Sequence, residues 1–107
     1  MSDAKRPIEV MVRYRVKPER VADNEAAVRA VYDELARAGL GGVRYATFKL
    51  ADGLTFVHVA RVDAEGGRNP LVALESFRRF QAGLGDRCDE PPVSSTFELI
   101  GAHGFFA

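Results

Sequence analysis

The chain has 107 residues, 47% of them hydrophobic and 28% charged, and its 15 basic and 15 acidic side chains cancel to a formal charge of zero. This balance predicts one soluble globular domain over residues 1–107 and excludes disorder, while no apolar stretch approaches the roughly 18 to 20 residues of a membrane helix. Zero net charge leaves no field to gather phosphates along a groove, so nucleic acid is not an expected partner.

The opening MSDAKRP lacks the apolar core of a signal peptide, and Cys88 stands alone, so no internal disulfide is possible and the chain reads as cytoplasmic. Residues 8–16, IEVMVRYRV, then alternate strictly as a strand, with Ile8, Val10, Val12, Tyr14 and Val16 on one face. Pro18 suits a first helical turn. A stripe of Val21, Val28, Val31, Tyr32 and Leu35 predicts a helix from Glu19 to Ala38, stopped by Gly39. Its opposite face, with Arg20, Asp23, Glu34 and Arg37, reads as solvent.

Two strands follow, at 43–50 and 54–62, joined through Ala51, Asp52 and Gly53. With Asp52 and Gly53 as a type I′ turn, each cross-strand pair sums to 105. Val43, Tyr45, Thr47, Lys49, Phe56, His58, Ala60 and Val62 then share one face, and Ala46, Phe48, Leu50, Val57 and Val59 the other. Arg44 comes to lie opposite Arg61, which calls for water or an acidic partner at that end. DAEGGR at 63–68 reads as a loop, Asn69 as an N-cap and Pro70 as the first residue of a second helix. Leu71, Leu74, Phe77, Phe80 and Leu84 form its buried stripe, and glycines 83 and 85 mark its end. DRCDEPP reads as a loop, Val93, Phe97 and Leu99 as the last strand, and Phe105 with Phe106 as an apolar terminus that docks.

The order strand, helix, strand, strand, helix, strand predicts an α+β fold: a ferredoxin-like βαββαβ sandwich with a four-stranded antiparallel sheet and both helices on one face. Because both faces of the hairpin are apolar, the second face is expected to be covered by another copy, giving a homodimer through sheet faces.

Chemistry is less marked. His58 interrupts an apolar strand on the face of Tyr45, Thr47 and Phe56. There it reads either as an acid or base for an apolar substrate, with Tyr45 orienting, or as a core histidine bonded to the Thr47 hydroxyl. Thr47, Phe56, Tyr14 and Phe77 form the candidate substrate-binding set, and Tyr14, Tyr32 and Tyr45 are candidate donors to a phenol or quinone oxygen. His58 and His103 have no carboxylate spacing around them, so no metal site is expected. GLGG and GLGD match no phosphate loop. An RNA-recognition reading fails on GLTFVHV, which keeps Phe56 but lacks the other aromatics and the leading basic residue.

The strand VMVRYRVKPE leading into an alanine-rich helix, the hairpin KLADGLTFVHV and a second helix before the final strand resemble the antibiotic-biosynthesis monooxygenase-like domains of the dimeric α+β barrel group, over about residues 8–101. The resemblance implies a homodimer with a pocket in each subunit between sheet and helices and, for some members, cofactor-independent oxidation of aromatic polyketides, so no cofactor is expected. Ala60 and Val62 stand where many relatives have an acidic residue and a tryptophan, and Asn69-Pro70 stands where some have a histidine. With no tryptophan in the chain and no asparagine in its first strand, haem breakdown is not implied. Two functions follow as expectations: a cofactor-independent monooxygenase-like protein for a small apolar or aromatic molecule, or a non-catalytic dimeric ligand-binding or interaction module.

Overall fold

The structure is a computed structural model that describes residues 7–63 and 69–105. Strand β1 (Pro7–Val16) leads through a single turn of 3₁₀ helix at Pro18–Arg20 into helix α1 (Val21–Ala38). Strands β2 (Val43–Lys49) and β3 (Thr55–Asp63) form the hairpin, and helix α2 (Glu75–Arg87) runs directly into strand β4 (Cys88–Thr96). All pairings are antiparallel, in the order β2-β3-β1-β4, the ferredoxin-like α+β arrangement.

The hairpin register follows the expected rule, from Val43 opposite Val62 to Lys49 opposite Phe56. The turn itself differs. Gly53 N–H donates to Leu50 O at 2.9 Å, and Leu50 N–H donates to Thr55 O at 2.8 Å, so Ala51 and Asp52 are the central turn residues. Gly53 follows them in the left-handed region at φ 74°. The Asp52 carboxylate selects this form by accepting from Leu54 N, Thr55 N and Thr55 Oγ1. Register is unchanged because the four-residue loop keeps Leu50 opposite Thr55. At the far end, Glu9 supplies the acidic partner: its carboxylate lies 3.0 Å from Arg61 Nε, beside the Arg44–Arg61 pair.

Tyr14, Val16, Val31, Phe56, Leu71, Leu74, Phe77, Phe80 and Leu84 form the core between the sheet and the helices. Burying each of the larger side chains contributes about 1.5–3 kcal/mol. Helix α1 ends at Gly39, whose φ of 62° lets its N–H return to Leu35 O.

The second helix corrects three expectations. Asn69 does cap, its side chain accepting from Leu71 N, but the turn it starts is a 3₁₀ segment (Pro70–Ala73) that breaks at the extended Leu74. Helix α2 starts afresh at Glu75 without a side-chain cap of its own. Glu34 of α1 takes that role, accepting from Ser76 N at 2.9 Å and Ser76 Oγ at 2.6 Å, so the α1 face expected to meet only solvent meets α2. Glycines 83 and 85 do not end the helix, which continues to Arg87 because that side chain is buried and hydrogen-bonded within the fold.

DRCDEPP is likewise no loop: it is the last turn of α2 and the first half of β4. Pro91 and Pro92 fit there because β4 is an edge strand, bulged against β1 between Arg13 and Val16. Phe97 and Leu99, expected in this strand, lie beyond it, although Phe97 N–H still donates to Glu9 O. Phe105 is 64% exposed. Phe106 and residues 64–68 of the expected loop lie outside the described residues.

Candidate functional site

Strands β1, β2 and β3 each contribute one inward polar ring to a cluster centred on His58, which is 5% exposed. Strand alternation aims Tyr14, Tyr45 and His58 at the helices. Tyr14 Oη lies 2.7 Å from His58 Nε2 and Tyr45 Oη lies 2.8 Å from Nδ1, with Thr47 Oγ1 at 3.1 Å from the same Nδ1. Both ring nitrogens are therefore occupied by protein hydroxyls.

The cluster extends at both ends. On one side Tyr32 Oη lies 2.8 Å from Thr47 Oγ1. On the other, Asn24 Nδ2 donates to Tyr14 Oη at 3.0 Å, and Arg87 Nε donates to Asn24 Oδ1 at 2.9 Å. Arg87 also donates to Phe80 O at 3.2 Å and lies 5.3 Å from the Phe80 ring centroid, with no ion pair among the described residues. No buried side-chain polar atom of the described residues lacks a partner. The rings stack into a wall: Tyr14 on Phe56 at 5.7 Å, Tyr45 on Tyr32 at 5.4 Å, and Phe80 tilted against His58 at 5.2 Å.

Burial sets the protonation states. It lowers His58 to about 4, so the imidazole is neutral at pH 7. The same desolvation raises Tyr14 to about 12 and pushes Tyr45 further up, so both hydroxyls keep their protons. Burial also lowers Arg87 from its ordinary value, yet an arginine starts high enough to remain a cation.

A cavity of about 470 Å³ opens above this cluster, between the sheet and the segment from Asn69 to Gly85. Its walls are mainly apolar, with Val10, Val12, Ala60, Leu71, Phe80 and Leu84 among them; Gln81 and Ser94 are polar side chains at its edge. That volume suits a small organic molecule. Of the residues singled out from sequence, His58, Tyr45, Tyr14 and Phe77 line it. Thr47 and Phe56 do not: they lie, with Tyr32, on a separate recess of about 280 Å³ beside Glu25 and Lys49. Tyr32 is thus withdrawn from the cavity by its bond to Thr47, and the expectation of three tyrosines around one ligand reduces to two.

Asn24 and Arg87 were not among the sequence candidates. Asn24 occupies a gap in the α1 stripe, between Val21 and Val28, and is fully buried, so an asparagine at an apolar helix position was an available signal. Arg87 carried none, since it lies beyond the apparent helix end. Among the described residues no group of His, Cys, Asp and Glu is arranged to hold a metal ion, and no helix is long and apolar enough to cross a membrane.

No protein-family model and no curated protein matches the sequence. Solved structures do resemble the fold. A provisional antibiotic biosynthesis monooxygenase from Nitrosomonas europaea superposes with a TM-score of 0.72 at 15% identity, over 94% of this chain and 96% of that one. A conserved protein from Methanosarcina mazei gives 0.70 at 16% identity, over 85% and 90%. A variant of SnoaB, a cofactor-independent oxygenase from Streptomyces nogalater, gives 0.66 at 15%, over 90% and 95%. At such identities the shared property is the fold, the one that the sequence resemblance implies.

Proposed function

We propose that this chain is a homodimeric, cofactor-independent oxygenase-like enzyme for a small apolar, aromatic molecule held between the sheet and α2. One observation carries the reading: a neutral imidazole, buried beneath an apolar cavity of about 470 Å³, is hydrogen-bonded to the hydroxyl of Tyr45 on the cavity wall. Tyr45 is the group that meets a ligand oxygen, and His58 exchanges a proton behind it, out of contact with water. As Tyr45 donates to the carbonyl oxygen of a ring ketone, the conjugated ring C–H gives its proton to water at the cavity mouth, and the resulting enol carbon is electron-rich enough to reduce O₂. O₂ adds to that carbon and is protonated to a hydroperoxide; O–O cleavage with loss of the carbon's remaining hydrogen then releases water and leaves a new carbonyl, so the substrate supplies the electrons and no cofactor is consumed. The fold shared with SnoaB, named as a cofactor-independent oxygenase, supports this class of reaction.

The homodimer is part of the same proposal. Ala46, Phe48, Val57 and Val59 turn away from the helices, and Met11 and Leu50 stand 39% and 38% exposed on the same side. A second sheet would cover them.

A second reading, a ligand-binding module without turnover, is favoured by the double occupancy of the His58 ring, which is what a satisfied core histidine also has. Oxygen uptake with anthrone, without added flavin or metal, separates the two. Uptake by the wild type that falls in His58→Ala supports the enzyme; anthrone binding with no uptake above the autoxidation rate leaves the binding module.

A further inference from the structure

Arginine offers N–H donors and no acceptor, and this gives a direction to every bond beyond Arg87. Its Nε donates to Asn24 Oδ1, so the amide presents its NH₂ to Tyr14 Oη. Tyr14, accepting there, has its own proton left for His58 Nε2 at 2.7 Å. A neutral imidazole that accepts at Nε2 carries its proton on Nδ1. That proton is directed at Tyr45 Oη, 2.8 Å away, and is shared with Thr47 Oγ1 at 3.1 Å. Thr47, accepting from the ring, keeps its own proton for Tyr32 Oη at 2.8 Å, so that hydroxyl is satisfied as well. The donor left over at the cavity end of the chain is the hydroxyl proton of Tyr45. Reversing the order would place Nε2–H against a Tyr14 oxygen that already accepts from Asn24, and would leave the Tyr14 proton buried without an acceptor.

We propose that Arg87 and Asn24 are positioning residues that hold His58 as the Nδ1–H tautomer and thereby present Tyr45 to the cavity as a hydrogen-bond donor, so that the site selects ligands carrying an acceptor oxygen, a ring ketone or quinone carbonyl. The inference rests on the reading of this cavity as a ligand site. It adds a polarity to that site: a flat hydrocarbon fills the same apolar walls but leaves the Tyr45 proton unmet, and a group that can only donate meets another donor.

The test has two parts. Nitrogen-15 NMR of the histidine ring in the ligand-free wild type is expected to show a protonated Nδ1 and an unprotonated Nε2. In Asn24→Asp, the carboxylate pairs with Arg87 and can only accept, so it draws the Tyr14 proton away from His58 and the ring is expected to switch to Nε2–H. The second part compares 1-tetralone with tetralin, which differ by the carbonyl alone. The ketone is expected to bind roughly five- to tenfold more tightly to the wild type, and that ratio is expected to approach one in Asn24→Asp and in Tyr45→Phe. Should Asn24→Asp not fold, Tyr14→Phe serves in its place: it removes the donor at Nε2 and is expected to populate both tautomers. An Nε2–H ring in the wild type, or an unchanged ring in the folded variant, overturns the relay. Equal binding of tetralin and tetralone overturns the selectivity while leaving the cavity a ligand site. Binding of neither overturns the ligand-site reading, and the inference falls with it.

Discussion

A Cβ added to Gly83 would lie 2.6 Å from Arg87 Nη1, so the guanidinium occupies the space that this glycine leaves open on the next turn of α2. Gly83→Ala should therefore lose more than it gains. Alanine favours a helix interior by about 0.5–1 kcal/mol over glycine, but here it pushes Arg87 off Asn24 and costs about 1–3 kcal/mol in hydrogen bonds to a buried charge. Gly85→Ala is the control, because nothing lies within 4 Å of its added Cβ. Urea unfolding should place Gly85→Ala above the wild type by about 0.5–1 kcal/mol and Gly83→Ala below it; both variants gaining stability would show that Arg87 moves aside at no cost.

Replacing His58 by alanine removes the partner of three hydroxyls, Tyr14, Tyr45 and Thr47. Stability should fall by about 2–4 kcal/mol, from unmet buried groups and lost packing, while the protein remains folded and dimeric. If the ring relays a proton, turnover of an oxidisable aromatic probe should fall by about a hundredfold or more. Equal specific activity in the folded fraction of the variant would reduce His58 to a core residue.

Acid should destabilise the protein earlier than its carboxylates alone would allow. His58 sits at about 4 in the folded chain against an ordinary 6.5, so between those values the unfolded state binds the extra proton. The stabilisation from a neutral His58 is complete above about pH 6.5 and is lost as pH falls toward 4, on the order of 3 kcal/mol in all. Asp52, held at about 2 by its bonds from Thr55 and Leu54, adds a further loss only from 3.8 downward. Urea midpoints at about pH 7 and about pH 5 should diverge for the wild type and converge for His58→Gln; equal slopes in both would place the titrating group elsewhere.

The parts of this fold that could be read from sequence are those set by local rules. Strict alternation gave β1, and Asp52-Gly53 between apolar runs gave the hairpin register, which survived the wrong turn type because both loops leave Leu50 opposite Thr55. That register put His58 beside Tyr45 and Thr47. Tyr14 joined the cluster through β1–β3 pairing, which no turn sequence encodes. The end of α2 was misread for a related reason. Glycines 83 and 85 look like stops unless it is known that Arg87 must reach Asn24, 63 residues earlier in the chain.

Covering the outer sheet face should be measurable as mass. Light scattering at micromolar concentration is expected to give twice the 11.7 kDa of one chain. Met11 stands opposite Val59 in the middle of that face and is 39% exposed, so Met11→Glu costs little in a single copy yet buries a charge in a pair. The variant should keep its far-ultraviolet spectrum and run as a monomer. A wild type that is itself monomeric at that concentration would remove the second copy from the proposal.

The two prolines of β4 limit how the molecule can associate. An unpaired strand edge is a template on which further chains can add without end. On β4 two consecutive residues, Pro91 and Pro92, have no N–H to give, so the outer edge loses a donor there, and the strand is bulged out of line with β1. A neighbouring strand would find an interrupted ladder there. Growth of the sheet sideways is hindered on this edge, so the face-on-face pair proposed above, which closes after two copies, meets no competition from β4.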